Sequence, residues 1–544
     1  MVTSLVELRI LEGPNLYFPR AAVKLTLDVS GIERESGSVL EQRRLLRTVG
    51  RIVRGVARAS GTTRLGLRVR ASHEPDQIVV AYPWRHRDRA RALGEAVAEV
   101  LDALAADDHA PVEELVARAG ERVAAVAPGP GPTTLRPRVP VVAVTGTNGK
   151  TTTSRMIAHL ARTAGHFVGW SNTDGVYVDG RLVEAGDYSG PSGAGRVLAD
   201  ERVDFAVTET ARGGILLKGI GITRNDVSVV TNVSADHLGL HGIDTLDQLA
   251  EVKSVVPQIT RSSGWAVLNA DDPRVYAMRS VTRAQPWVFS RDARSPAIRE
   301  VLSHGGRATT VIDGRITVLR QDAQPDALVD VVDVPMTMAG LSRFNVENAL
   351  AAASAALAAG LPREAVVEGL TTFLPDVDHN PGRMNVFTLD GVSVVMDLAH
   401  NEAGLEALLE VLRGVCAPGG RVLLGLGAVG DRQDDLLERL GELAARDADA
   451  VAIGHKQRYL RGRSTDELDR LLREGAARVG VTDVPSYPTE LAALEALVGQ
   501  ARPGDVVGLM CHAERDEVLG WLTGRGAVPD SPETLREKVR HGHG

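Results

Sequence analysis

The sequence has few of the residues and segments that mark secreted or membrane proteins. Only two cysteines, Cys416 and Cys511, occur among its 544 residues. That is too few for a disulfide framework or for a zinc site with four thiolate ligands. No run of about 18 uninterrupted apolar residues occurs, so we expect no membrane-spanning helix. Residues 1–9 lack the basic start and apolar core of a signal peptide. These absences predict a cytoplasmic protein.

Strong charge of either sign is also missing. The net charge is −8, which is small for this length and gives no support for nucleic-acid binding as the main role. A chain of 544 residues is long enough for about three or four domains with sizeable cores. We therefore expect neither nucleic acid nor a membrane among its partners, and the sequence leaves a homo-oligomer open.

The pattern of apolar residues divides the chain into three units. Residues 1–126 combine alternating strands with amphipathic helices and predict a small α+β domain. Residues 127–140 are rich in proline and glycine, which is typical of a linker. Residues 141–380 alternate strands and helices, which predicts a mostly parallel sheet. Residues 381–544 repeat this α/β rhythm as a second, smaller Rossmann-like domain, with a mobile tail expected after Pro532.

The second unit opens with a strand, a glycine-rich turn and a helical pattern. Residues 141–144 are apolar, and residues 146–149 follow as the turn. Its glycines let backbone N–H groups approach an anion, and a helix N-terminus adds its dipole. Lys150 can reach the β- and γ-phosphates of a nucleotide, and the Thr151 hydroxyl can bind Mg²⁺. The strict P-loop pattern requires glycine at position 144, where this chain has Val144.

Polar residues follow three further predicted strands of the same unit. The strand at residues 203–208 leads into Glu209, and the strand at 227–232 leads into a loop that contains His237. A third strand, at 266–268, leads into Asn269 and two aspartates. Ligands of open α/β sheets bind at the carboxyl ends of the strands. Glu209 offers the hard oxygen atoms that Mg²⁺ prefers.

Residues 146–151, Gly-Thr-Asn-Gly-Lys-Thr, resemble the ATP-binding loop of the Mur ligase superfamily. Residues 232–239, 381–385 and 397–401 also resemble motifs of that superfamily, so the resemblance covers about residues 141–544. The wording is most similar to the Mur-like half of cyanophycin synthetase, whose N-terminal domain residues 1–126 resemble weakly. That family has an ATP-grasp domain between these parts, for which this chain has no room. We therefore expect a single ATP site.

The resemblance implies an ATP-dependent, ADP-forming ligase. Such an enzyme phosphorylates a carboxylate with ATP, and an amine then attacks the acyl phosphate to form an amide. By the family's motifs, the residues expected to contact the nucleotide are Gly146, Thr147, Asn148, Gly149, Lys150, Thr151, Thr152, Asn269, Asp271, Asn345, Arg383 and Asp397.

The family's motifs also imply a catalytic and metal-binding set. Two Mg²⁺ sites are expected, with Thr151, Glu209, His237 and Lys253 as ligands. Lys253 would become an anionic ligand by carbamylation, and the alternative is an unmodified lysine that contacts phosphate or solvent. The expected catalytic residues are Lys150, Glu209, His237, Lys253 and Arg383.

The sequence departs from the family pattern at two places. Ser342 and Phe344 replace a glycine and a histidine before Asn345, so that histidine's role is not carried over. Leu398 and Glu402 replace a tyrosine and a proline beside Asp397, so the amine side of the site is expected to differ.

The substrates stay open. The carboxylate is expected to be an acidic peptide, an amino-acid polymer or a small carboxylate, and the donor an amino acid or another amine. The alternative is a non-catalytic nucleotide-binding regulator or scaffold derived from such a ligase. The joint presence of six residues argues against it: Lys150, Thr151, Glu209, His237, Arg383 and Asp397. An amidating subunit that works with a glutaminase commonly carries a four-cysteine zinc ribbon, which two cysteines cannot supply.

Overall fold

The structure is a computed structural model that describes residues 4–30, 39–74, 76–107, 109–236 and 238–542. The strands of these residues form three β-sheets. None of the helices in these ranges is long and apolar enough to cross a membrane.

The first sheet is antiparallel and is covered by helices on one face. Its elements are β1 (Leu5–Leu11), β2 (Ala22–Asp28), α1 (Val39–Ala59), β3 (Arg68–Ala71), β4 (Gln77–Pro83), α2 (Arg87–Ala106) and α3 (Val112–Ala125). The strands lie in the order β1-β2-β4-β3. Val23, Leu25 and Leu27 occupy alternate positions of β2 and are fully buried in the core with the helices, as the strand period requires.

The second sheet has eleven strands in the part of the chain that the structure describes. They are β5 (Val141–Thr145), β6 (Val168–Ser171), β7 (Gly175–Val178), β8 (Arg181–Ala185), β9 (Phe205–Glu209), β10 (Asn225–Val230), β11 (Thr260–Asn269), β12 (Gln285–Ser290), β13 (Arg307–Ile312), β14 (Arg315–Arg320) and β15 (Asp326–Asp330). The strand order is β15-β14-β13-β12-β11-β10-β5-β9-β6-β7-β8. The strands from β13 to β6 in this order are parallel, and the two strands at each edge are antiparallel. The predicted, mostly parallel sheet is confirmed.

Helices cover both faces of this sheet. They are α4 (Lys150–Thr163), α5 (Pro191–Ala199), α6 (Arg212–Leu217), α7 (Leu246–Lys253), α8 (Val255–Gln258), α9 (Pro273–Ala277), α10 (Pro296–Ser303), α11 (Arg343–Ala358) and α12 (Arg363–Thr372), with short 3₁₀ turns at Met278–Ser280, Val331–Asp333 and Pro335–Thr337. Alternate residues of β5 enter two different cores: Val142 and Val144 pack on the α4 side, and Val141 and Ala143 pack on the other. A strand buried on both faces explains the unbroken apolar run in the sequence.

The third sheet forms the C-terminal α/β unit. Its elements are β16 (Asn385–Leu389), β17 (Val392–Asp397), α13 (Glu402–Val415), β18 (Val422–Leu426), α14 (Asp434–Asp447), β19 (Ala450–Gly454), α15 (Thr465–Ala477), β20 (Ser486–Tyr487), α16 (Glu490–Gln500), β21 (Val506–Met510), α17 (Arg515–Gly524), β22 (Val528–Pro529) and α18 (Pro532–Gly542), with a 3₁₀ turn at Gln457–Tyr459. The strand order is β20-β19-β18-β21-β17-β16-β22. Five of these strands are parallel to one another: β17, β18, β19, β20 and β21. Strand β16 is antiparallel to both of its neighbours, β17 and β22.

The expectation of a mobile tail after Pro532 is wrong. The tail forms helix α18, whose Leu535 and Val539 are buried in the core beside α13. Arg536 also pairs with Asp333 of the central unit at 2.8 Å. The two apolar side chains, Leu535 and Val539, are four residues apart, so they lie on one face of the helix and pack together against the core.

A buried ion pair joins the central and C-terminal units. Asp174, in the loop after β6, accepts from Arg155 of α4 at 2.9 Å and from Arg515 of α17 at 2.8 Å. Burial alone would raise the pKa of Asp174, but the two guanidinium groups outweigh it and hold the pKa below its usual value. One carboxylate therefore bridges a cation from each unit.

Removing this carboxylate should weaken the junction between the two units. In Asp174→Ala, the buried Arg155 and the partly exposed Arg515 lose their counter-ion, so the free energy of unfolding should fall by about 3 kcal/mol at neutral pH. Because the pKa is lowered on folding, the stabilisation is present above about pH 4 and is lost as the pH falls through the lowered pKa. Urea unfolding of the variant and the wild type should therefore converge in acid.

Glu474→Ala is the matched control, because it breaks a solvent-exposed pair with Arg470. It should change the free energy of unfolding by only about 0.5 kcal/mol. An Asp174→Ala effect no larger than this control would contradict a structural role for the pair.

Candidate active site

The glycine-rich turn lies where three elements meet. Gly146 has φ 152° and Gly149 has φ 82°, backbone conformations that side chains other than glycine rarely adopt. A Cβ atom on Gly146 would lie 1.8 Å from the Thr231 hydroxyl, and one on Gly149 would lie 2.2 Å from the Asn348 side-chain oxygen. The glycine-rich turn therefore fits tightly against the end of β10 and against Asn348 of α11. Helix α4 begins directly after it, at Lys150, as an anion site requires.

A hydroxyl and a carboxylate meet beside this turn. The Thr151 hydroxyl donates to Glu209 Oε2 at 2.8 Å, and the Thr173 hydroxyl donates to the other carboxylate oxygen at 3.2 Å. Glu209 ends β9 and is only 1% exposed. Lys150 Nζ donates to the Thr147 carbonyl at 2.7 Å. The residues present thus fit both a nucleotide phosphate and a Mg²⁺ ion, since the donors at Thr151 and Glu209 are hard oxygen atoms.

Lys253 reaches the same turn from the end of α7. Its side chain is 3% exposed, and its Nζ donates to the Gly146 carbonyl at 2.6 Å. Burial, with the nearby Lys150 ammonium, lowers the pKa of Lys253 well below its usual value. Among the described residues, no group of three or more His, Cys, Asp and Glu side chains is gathered as a metal site. His237, the remaining expected ligand, lies outside the described residues.

Asn269 and Asp271, two of the residues expected to contact the nucleotide, lie at the end of β11, close to the end of β12. Asn269 donates to the Thr231 carbonyl at 2.8 Å and accepts from the Asp271 backbone at 2.9 Å. The Asp271 carboxylate accepts from the Ser290 hydroxyl at 2.5 Å and from the Arg291 backbone N–H at 2.9 Å. These bonds fix the two side chains beside the end of β10, next to the turn.

Asn345 is linked to the glycine-rich turn through Asn348. It accepts from Asn348 at 3.0 Å, and the Asn348 oxygen accepts from the Thr153 hydroxyl of α4 at 3.1 Å. These hydrogen bonds connect α11 to α4, the helix that follows the glycine-rich turn.

Side chains of the C-terminal unit meet the turn across the gap between the units. Asn401 of the C-terminal unit and Asn148 of the turn exchange side-chain hydrogen bonds at 3.1 and 3.4 Å. Asn380, at the end of the central unit, donates to the Thr152 hydroxyl of α4 at 3.2 Å. The two units are therefore in contact at the nucleotide-binding turn.

Arg383 and Asp397 lie in the same gap. Burial lowers the pKa of Arg383, while Asp174 and Asp397 partly counter this. Its Nε is buried and has no hydrogen-bond partner among the described residues. Burial raises the pKa of Asp397, whose carboxylate accepts from the Met384 backbone at 3.0 Å. A guanidinium with an unused donor suits a planar anion such as phosphate.

The structure adds four residues that sequence reasoning did not select. Arg212 begins α6, three residues after Glu209, and its Nη1 is buried without a hydrogen-bond partner among the described residues. Arg432 Nη2 lies 3.2 Å from Asp236, and His400 Nε2 lies 3.8 Å from the same carboxylate. The sequence placed these residues in loops that follow predicted strands. Their contacts in the structure are what identify them as members of the site.

Two family descriptions match the chain. Residues 144–356 match the Mur ligase middle domain, and residues 382–511 match the glutamate ligase domain of Mur ligases. The gap between the central and C-terminal units, which we call the cleft, lies between these two matched regions.

Several named proteins are similar to this chain. The cyanophycin synthetase of Crocosphaera subtropica is 41% identical over 360 residues, which cover 66% of this chain and 40% of that protein. The UDP-N-acetylmuramoyl-L-alanyl-D-glutamate–2,6-diaminopimelate ligase of Corynebacterium efficiens is 28% identical over 414 residues, which cover 74% of each chain. The solved structure of E. coli FolC in complex with DHPP and ADP has the same fold, with a TM-score of 0.53 at 19% identity, and the match covers 72% of this chain and 90% of FolC.

The chain spans about two fifths of the length of the cyanophycin synthetases that it matches. The two family descriptions follow one another along the chain and meet at one cleft. On this evidence the chain belongs to the Mur ligase family.

Proposed function

We propose that the protein is an ATP-dependent, ADP-forming ligase that joins a carboxylate to an amine through an acyl phosphate. The observation that carries this proposal is the meeting of Lys150, the Thr151–Glu209 pair and Arg383 at one gap between two domains. Transfer of a phosphoryl group to a carboxylate brings like charges together, and fixed cations lower the cost of that approach.

We assign each expected ligand to residues of this cleft. Residues 146–152 would hold the phosphates of ATP, and Thr151 and Glu209 would hold Mg²⁺. When bound, Mg²⁺ supplies positive charge to the oxygens of the transferring phosphoryl group. Lys150 would contact the β- and γ-phosphates, and Arg383 would contact the terminal phosphate when the two domains approach each other. Asn269 and Asp271 would border the base.

Arg212 suits the carboxylate substrate. Its Nη1 lacks a partner among the described residues, and its electrostatic neighbours include Arg432 and Asp236. A buried donor of this kind is stabilised by an anion that accepts from it. Glu209 would hold the metal on the strand that leads directly into Arg212. The carboxylate would therefore lie between the Mg²⁺ ligand and this guanidinium.

The substrate classes follow from relatives and charge. We propose an acidic peptide, an amino-acid polymer or a small carboxylate as acceptor, and an amino acid or other amine as donor. The relatives that are named cyanophycin synthetase favour an amino-acid polymer or peptide. The alternative, a nucleotide-binding regulator, needs no second or third substrate and would release no phosphate in their presence.

An amine screen tests the function. Purified protein would be incubated with ATP, Mg²⁺, poly-aspartate, poly-glutamate, acidic dipeptides or free acids, and each amino acid or polyamine in turn. We expect phosphate release that requires one acceptor and one amine together, and mass spectrometry should detect the amide. The acceptor KM should rise with ionic strength, since cations at the cleft attract it. Tight ATP binding without release in any pairing would favour the regulator.

Lys150→Ala should abolish ATP turnover and leave the fold intact. The side chain contacts the turn through one hydrogen bond to a carbonyl, so its loss removes charge from the phosphate site rather than from the core. We expect kcat to fall about 100-fold or more, with an unchanged melting temperature. Lys218→Ala, which changes an exposed lysine at the end of α6, is the control and should keep full activity. Near-normal turnover by Lys150→Ala would defeat the assignment.

Carbamylation of Lys253 is a further part of the proposal. The reaction needs a neutral amine, and burial beside Lys150 disfavours the ammonium. Lys253→Ala should lose activity about 100-fold, and short carboxylates should restore part of it by replacing the carbamate oxygens. Lys253→Arg should not be rescued, because guanidinium stays charged and fills the space.

A readout independent of activity separates this role from a structural one. Wild-type protein in ¹³C-labelled bicarbonate should show a carbamate signal in ¹³C NMR spectra, and Lys253→Arg should lack it. If the hydrogen bond to Gly146 were the only function of Lys253, no signal would appear and carboxylates would rescue nothing. Full activity of Lys253→Ala without additive would also end the idea.

A further inference from the structure

Helix α6, which begins at Arg212, is too short to fix its own position. It has six residues, and Ala211 before it provides no side-chain cap. Isolated helices shorter than about 12 residues are marginal in water, so contacts with other elements must decide where α6 lies. Because six helical residues span only about 9 Å, a shift at the far end of α6 also moves Arg212. The contacts at that end therefore help to determine where the guanidinium lies.

A segment of the N-terminal unit, residues 12–15, runs against this far end of α6, and we call it the strap. The Glu12 backbone N–H donates to the Lys218 carbonyl at 2.7 Å. In the other direction, the Ile220 backbone N–H donates to the Pro14 carbonyl at 2.8 Å. The strap therefore holds the chain immediately after α6 by two backbone hydrogen bonds of opposite direction.

A side chain of the N-terminal unit binds α6 itself. Arg9 Nη1 donates to the Leu216 carbonyl at 3.0 Å, which lies in the last turn of the helix, where carbonyl groups lack partners within the helix. Arg9 is also close to the other end of α6. Burial lowers the pKa of His241, and the nearby charges of Arg9 and Arg212 lower it further. The N-terminal unit therefore lies beside Arg212 as well as at the far end of its helix.

Two glycines permit the close approach of the strap. A Cβ atom on Gly13 would lie 1.9 Å from the Ile220 carbonyl oxygen. One on Gly219, whose φ is 83°, would lie 2.7 Å from the Gly13 carbonyl oxygen. Atoms at these distances overlap, so a side chain at either position would push the strap away from the end of α6.

The strap is a fixed part of the N-terminal unit. The side chain of Asn15 is buried, and its Nδ2 donates to the carbonyls of Gly13 and Arg20 at 2.8 and 2.9 Å. Its Oδ1 accepts from the backbone N–H groups of residues 17 and 18 at 2.9 and 3.1 Å. One buried amide thus closes the turn that contains the strap. The strap is therefore held by its own unit and does not depend on α6 for its shape.

We propose that the strap positions Arg212 through α6, so that the N-terminal unit helps to set the affinity of the site for its carboxylate substrate. The proposal rests on the proposed ligase function, in which Arg212 contacts that carboxylate. Gly13 and Asn15 contact no reactant and are positioning residues. A misplacement of about 1 Å in a group that holds a substrate can cost about 100-fold, so a small displacement of the strap is expected to be measurable.

Gly13→Ala tests the proposal without changing any charge. Its added methyl group would displace the strap from Ile220. Hydrogen–deuterium exchange of the full chain should become about tenfold faster in peptides that cover residues 212–220, and peptides of residues 141–153 should exchange as in the wild type. Asn15→Ala removes the four hydrogen bonds that shape the turn and should act in the same direction. It keeps the proposal testable if Gly13→Ala fails to fold.

The KM of the acceptor distinguishes positioning from a purely structural role. With the acceptor and amine found in the screen, Gly13→Ala should raise the acceptor KM about tenfold or more and leave the ATP KM unchanged, because the glycine-rich turn is not displaced. A loss of stability alone would reduce the active fraction, which lowers kcat and changes neither KM. Gly499→Ala is the matched control. It changes an exposed glycine of α16, and among the described residues no atom lies within 4 Å of its added Cβ.

A chemical probe of Arg212 requires no substrate. Phenylglyoxal modifies guanidinium groups, and mass spectrometry of the modified chain would give the rate at Arg212 separately from the other arginines. Displacement of α6 should expose this side chain, so its modification should be faster in Gly13→Ala and Asn15→Ala than in the wild type and in Gly499→Ala.

The outcomes separate this proposal from the ligase function. Unchanged exchange in residues 212–220 and unchanged modification of Arg212 in both strap variants would overturn it, even if the screen detects amide formation. Faster exchange with an unchanged acceptor KM would also overturn it, because the strap would then have a structural role only. Faster exchange together with faster modification of Arg212 would support the positioning even if no amide product were found, and the ligase function alone would then fail.

Discussion

Buried positive charge around one glycine-rich turn is the constraint on which the site depends. Lys150, Arg212, Lys253 and Arg383 converge there, and desolvation lowers the pKa of the last three. Buried cations are costly unless anions compensate them. Glu209, Asp236 and Asp397 supply only part of that charge, so the fold holds a cleft that anionic ligands would stabilise. Phosphate and carboxylate are the anions that a ligase of this family handles.

The glycines make this arrangement sterically accessible. Their positive φ values and their close approach to Thr231 and Asn348 bring the turn against β10 and α11 at once. Thr153 and Asn345 then connect α11 to α4 through Asn348. The backbone of the turn is therefore positioned by packing from several elements, so that the site is formed before any ligand arrives.

The two ligase domains share the work of building the site. Asp174 bridges arginines from both domains, and the asparagines at positions 148 and 401 join the turn to the C-terminal sheet. Side chains of both domains thus line one gap, and holding two groups in a fixed mutual geometry is what the proposed reaction requires.

The sequence by itself determined the local elements and the nucleotide-binding turn. The apolar run at residues 141–144 predicted strand β5, which is buried on both faces, because such a signal depends only on neighbours in the chain. Only the tertiary structure decided which distant side chains meet. The docking of α18 and the ion pairs of Asp174 arise from contacts between residues far apart in sequence. The lack of a hydrogen-bond partner for Arg212 Nη1 within the described part of the chain likewise depends on which distant residues surround it. Local pattern carries no information about such contacts, since burial and long-range electrostatics are properties of the assembled fold.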